Sequence, residues 1–99
     1  MQTIEHVTFR LAPGTTREAF LAEARRGEAL VRRQSGFRAR MLTEGSDGTW
    51  SDIVTWDSHA QATTAAETLM ADPEFLAFCS LIDAGSVKMT HSALVWQMT

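Results

Sequence analysis

Hydrophobic periodicity is the strongest constraint on this chain. It switches between a period of two and a period of about 3.6, the repeats of strand and helix. In residues 2–11 (QTIEHVTFRL), Val7, Phe9 and Leu11 fall on one face and Ile4, His6, Thr8 and Arg10 on the other. Ala12-Pro13-Gly14 ends this strand. Thr15 and Glu18 then form a capping-box pattern, in which each side chain satisfies a backbone N–H at a helix start. Phe20, Ala24, Gly27 and Val31 follow at helical spacing, with Gly27 costing about 1 kcal/mol relative to alanine inside a helix. Gln34-Ser35-Gly36 supplies the stop, glycine being suited to a left-handed cap.

Residues 37–44 (FRARMLTE) and 49–56 (TWSDIVTW) read as strands, and the Gly45-Ser46-Asp47-Gly48 link predicts a hairpin between them. Ser58 and Gln61 make a second capping box, followed by a stripe of Ala62, Ala65, Ala66, Leu69 and Met70. Asp72-Pro73-Glu74 breaks and restarts the helix, with proline at a first helical position. Phe75, Phe78, Cys79 and Ile82 then lie on one helical face; Ala84-Gly85 ends it, and residues 87–98 (VKMTHSALVWQM) form the last strand.

The expected fold class is α+β: a ferredoxin-like βαββαβ domain over residues 1–99 with a four-stranded antiparallel sheet in the order 4-1-3-2. Helices then cover one face of the sheet only. In the last strand Val87, Met89, Ala93 and Val95 share one parity, and Leu94, Trp96 and Met98 share the other. The third strand sets Ile53 opposite Trp50, Val54 and Trp56. A strand apolar on both sides is buried on both sides. A second copy of the same sheet is the simplest closed cover, so the expectation is a homodimer, a dimeric α+β barrel.

Composition excludes several classes. The net charge of −3 argues against nucleic acid as a partner, and the arginines at 25, 26, 32 and 33 are diluted by Glu23 and Glu28 into a solvated helix face. No apolar run approaches the roughly 18 residues that cross a membrane. The single cysteine, Cys79, permits no internal disulfide, and the N-terminus opens straight into a strand; a cytoplasmic location is expected.

Chemistry is sparser. His6 on the first strand and His91 on the fourth lie on neighbouring strands, and Asp52 on the third approaches His6 if the two share a face. A carboxylate beside an imidazole holds its tautomer and favours proton uptake, which suits a general base. The competing reading makes both histidines hydrogen-bonded core or interface residues. No metal-ligand spacing is present, and neither a metal nor a cofactor is expected; His59, just after a helix cap, is expected in solvent. Phe9, Phe20, Trp56, Phe75 and Phe78 are candidates for the lining of an apolar pocket, against the plainer reading that they are core. Arg38 and Arg40 share a parity suited to an anionic group or to salt bridges, and Cys79 reads as a buried, inert thiol.

The stretches VTFRLAPGTTREAF (7–20), GF (36–37), VTWDSHAQA (54–62) and above all DPEFLAF (72–78) resemble the antibiotic-biosynthesis-monooxygenase group of dimeric α+β barrels. That resemblance implies the fold, a sheet-to-sheet dimer and a pocket between sheet and helices. It does not extend to haem degradation, because Cys79 stands where haem-degrading relatives carry a histidine, four residues after Phe75. Stress-responsive barrels, polyketide cyclases among them, carry an early-strand histidine that His6 matches, while Glu74-Phe75 matches their late-helix histidine incompletely. The function expected is a homodimer binding a small apolar or aromatic molecule, as a cofactor-independent monooxygenase. The alternatives are a cyclase or isomerase beginning with the same proton abstraction, and a non-catalytic binding dimer.

Overall fold

The computed structural model describes residues 1–99. Strand β1 (Thr3–Phe9) leads into helices α1 (Arg17–Arg26) and α2 (Glu28–Arg32), followed by strands β2 (Phe37–Glu44) and β3 (Trp50–Trp56). Helices α3 (His59–Met70) and α4 (Pro73–Cys79), a 3₁₀ turn at Ala84–Ser86 and strand β4 (Lys88–Ala93) complete the chain. All pairings are antiparallel, in the order β2-β3-β1-β4, which is the expected ferredoxin-like sheet.

Register decides which side chains meet. Val7 on β1 lies opposite Asp52 on β3 and Met89 on β4, while His6 lies opposite Ile53 and Thr90. The Val7 parity faces the helices. It carries Phe9, which packs with Phe20 of α1, Phe78 of α4 and Trp50 of β3 in one core cluster. Phe20, fully buried, meets Phe9 and Trp50 edge-on and stacks on Phe78 at a 4.7 Å centroid separation. Val54, Trp56, Ala62 and Ala65 form a second cluster, where alanines let α3 lie close to the sheet.

Local chemistry fixes the helix ends, with small departures from expectation. Thr16, not Thr15, caps α1 by accepting from the Ala19 N–H at 3.1 Å. Ser58 caps α3 and Asp72 caps α4, with Pro73 at the first position, as expected. Gly27 does not sit inside a helix; it separates α1 from α2, and a Cβ there would meet nothing closer than 3.8 Å. Gly36 is the demanding position. Its φ is +86°, a Cβ would lie 2.6 Å from the Gln61 side chain, and its carbonyl accepts from Asp57 N–H at 2.8 Å. Gly36→Ala therefore meets both a left-handed backbone and a displaced Gln61, and is expected to lose about 1–3 kcal/mol of stability in urea unfolding.

Two expectations need correction. The last strand stops at Ala93, not at residue 98. Leu94 N–H still reaches the Gln2 carbonyl at 2.9 Å, but β1 begins at Thr3 and offers no template beyond. Consequently Leu94, Trp96 and Met98 are not a second apolar face of a strand. On the open face of the sheet, Ile4, Met41 and Ile53 remain as the large apolar side chains, among His6, Thr8, Ser51, Thr55, Lys88 and Thr90. That face is more polar than the periodicity implied.

Candidate functional site

Glu5 shares the inward parity of Val7 and Phe9, and the β1–β4 register sets it directly opposite His91. Its side chain is 12% exposed and that of His91 25%, and Oε2 of Glu5 lies 3.1 Å from Nε2 of His91. An ionised carboxylate can only accept, so Nε2 carries the shared proton and Nδ1 is the ring nitrogen left for chemistry. The His59 ring at the start of α3 meets the His91 ring edge-on at 4.8 Å between centroids. These two imidazoles, with Thr3, Ser92, Ala93 and Met1, line a cavity of about 360 Å³ at the β4 edge of the sheet. This volume falls within the roughly 300–1,000 Å³ of small-molecule sites. The arrangement is an imidazole base, oriented by a largely buried carboxylate, at the wall of a cavity.

A second constellation sits further along the same face. Arg40 of β2 makes a two-pronged contact with Asp52 of β3, Nε to Oδ1 at 3.0 Å and Nη2 to Oδ2 at 2.7 Å. Both side chains are largely buried, and the guanidinium lies 5.0 Å from the centroid of the Phe78 ring. Burial pushes the neighbouring Cys79 thiol up from its ordinary value, with the Arg40 charge opposing. A thiol so placed stays protonated and unreactive at neutral pH, in keeping with its reading as an inert hydrophobe.

The expected site residues separate on this frame. Asp52 does not approach His6: the two project from opposite faces, and Arg40 holds Asp52 instead. His6 lies on the open face, lines neither of the two cavities at the sheet edges, and keeps its Nε2 buried without a partner. His91 lines a cavity, and its carboxylate is Glu5, which the residue pattern did not single out. His59 is exposed, as expected, yet touches His91. Phe9, Phe20 and Phe78 are core, Phe75 packs against that core, and Trp56 belongs to the second cluster; none of the five lines either cavity. Trp56 retains one distinctive feature, a buried Nε1–H with no acceptor. The larger of the two cavities, about 550 Å³, lies at the opposite sheet edge between β2 and helices α1 and α2.

No family model matches the chain, and no curated protein matches it. Solved structures do. Rv0793 from Mycobacterium tuberculosis is 17% identical at a TM-score of 0.72, with 100% of both chains covered. A Nitrosomonas europaea protein described as an antibiotic biosynthesis monooxygenase is 13% identical at 0.74, over 99% of this chain and 94% of that one. SnoaB, a cofactor-independent oxygenase from Streptomyces nogalater, is 20% identical at 0.65, over 99% and 95%. Identities this low speak to architecture and not to chemistry. The chain has the fold of the structures described as antibiotic biosynthesis monooxygenases, the group its residues resemble.

Proposed function

We propose that this protein is an oxygenase for a small aromatic substrate, with His91 as general base and Glu5 as its orienting carboxylate. The observation that carries the proposal is the 3.1 Å contact between His91 and the largely buried Glu5 at a cavity wall. His91 takes the hydroxyl proton of a phenol through Nδ1, and Glu5 neutralises the charge the ring acquires. The phenolate is electron-rich enough to react with dioxygen at a ring carbon. The substrate supplies the electrons and dioxygen is the oxidant. For 1-naphthol, one O₂ is consumed; a C–O bond forms at C4, the C4–H and O–O bonds break, and the products are 1,4-naphthoquinone and one water, which takes up the C4 hydrogen. The proton held on His91 leaves with that water. The remaining contribution of the protein is positioning and partial exclusion of solvent.

The test is oxygen uptake and quinone absorbance with 1-naphthol and dihydroxynaphthalenes, comparing the protein with His91→Ala. Protein-dependent uptake that vanishes in the variant supports the reading. Exchange of ring-carbon hydrogen without oxygen uptake would indicate a proton-transfer enzyme of the isomerase or cyclase kind.

The homodimer belongs to the same proposal. Helices cover one face of the sheet, leaving Ile4, Met41 and Ile53 on the other together with the unpartnered His6 Nε2. Val95, Trp96 and Met98 follow β4 with their surfaces exposed, adding apolar area that a second copy could cover. Sedimentation equilibrium is expected to give twice the 10.9 kDa chain mass, and Ile53→Lys to shift it to that of one chain.

A further inference from the structure

The larger cavity lies far from His91. Its floor is apolar: Leu21 and Ala24 of α1, Val31 of α2, and Phe37 and Leu42 of β2. Around that floor stand four arginines, Arg25 from α1, Arg32 from α2, and Arg38 and Arg40 from β2, against a single carboxylate, Glu28. Two of the four are already engaged, Arg40 with Asp52 and Arg38 with Asp57. Arg25 and Arg32 belong to none of the ion pairs in the structure, although Glu28 precedes Arg32 by four residues on the same helix. Arginines gathered from three separate elements repel one another, and the low-dielectric floor beneath them strengthens their field.

From this juxtaposition we propose that the groove between α1, α2 and β2 is a binding site for a small planar aromatic carboxylate, separate from the His91 cavity. The ring lies on Phe37, Leu42 and Val31. The carboxylate meets the free guanidinium groups of Arg25 and Arg32, whose planar forks match its two oxygens. The cavity, about 550 Å³, accommodates a bicyclic ring system. β2 and β4 are the two edges of the sheet, so three interstrand spacings, about 14 Å, separate this site from His91. A ligand here does not compete with a substrate there.

The probes are 2-naphthoate and its neutral counterpart 2-naphthalenemethanol, titrated calorimetrically into the intact protein. The double variant Arg25→Gln/Arg32→Gln changes two exposed side chains with no ion pair to lose, so its fold is retained. Saturable naphthoate binding is expected, with at least tenfold lower affinity for the alcohol and at least a tenfold loss in the double variant. His91→Ala is expected to bind naphthoate as the unaltered protein does. Equal affinity for the two probes, undiminished binding by the double variant, or no saturable binding would each overturn the site. Loss of naphthoate binding in His91→Ala alone would place the probe in the other cavity and overturn it equally. Because the readout is binding, failure here leaves the oxygen-uptake test of His91 unaffected.

Discussion

Replacing Asp52 by alanine is expected to lower the unfolding free energy by about 3–5 kcal/mol, the range for breaking one side of a buried ion pair. The Asp52 side chain is only 12% exposed and that of Arg40 15%, so little water is present to take over from the lost partner. Arg40 would be left charged beneath the Phe78 ring with its two-pronged acceptor gone. A pair of this kind contributes less than its disruption suggests. The double replacement Arg40→Met/Asp52→Leu, which removes both charges, is therefore expected to recover most of the loss. Chemical denaturation of the two single variants and the double variant checks this. A loss below about 1 kcal/mol for Asp52→Ala would mean that solvent screens the pair as it does at a surface.

His91→Ala is expected to reduce turnover by about 10²–10⁴-fold, the contribution of a positioned general base. The same variant should also lose about 1–3 kcal/mol of stability, because it leaves the largely buried Glu5 carboxylate without its partner. Glu5→Gln is the informative companion. It keeps the shape and a hydrogen-bond acceptor for Nε2–H, but removes the negative charge and allows either ring tautomer. An intermediate loss in kcat with little change in KM is expected, because Glu5 acts through His91 and does not touch the substrate. If both variants keep full oxygen uptake, the base lies elsewhere and the proposed function fails with it.

Much of the fold was legible because the sheet is one-sided. A strand with helices on one face must alternate, and β1 and β3 do so, placing Phe9, Trp50, Val54 and Trp56 inward. Where the pattern misled, the missing quantity was register. Asp52 and His6 lie on adjacent strands, but the pairing sets Asp52 against Val7, and a one-residue offset puts two side chains on opposite faces. The parity of Glu5 was visible, since it shares the face of Val7 and Phe9. An inward carboxylate gains meaning only once His91 is known to lie across from it. The length of β4 was not local information either, because it ends where β1 ceases to offer hydrogen-bonding groups. The aromatics followed the plainer of their two readings and became core. Arg25 and Arg32 read as a solvated helix face and are exposed; the groove that β2 forms beside them depends on tertiary packing that no local pattern carries.

The central claim is that Glu5 fixes His91 with its proton on Nε2, leaving Nδ1 as the base. Long-range ¹H–¹⁵N correlation of the imidazole rings reports this without any substrate. For neutral His91 the account predicts the Nε2–H tautomer in large excess in the unaltered protein, and a mixture of the two tautomers in Glu5→Gln. A proton on Nδ1, or the same pattern with and without the Glu5 carboxylate, would contradict it.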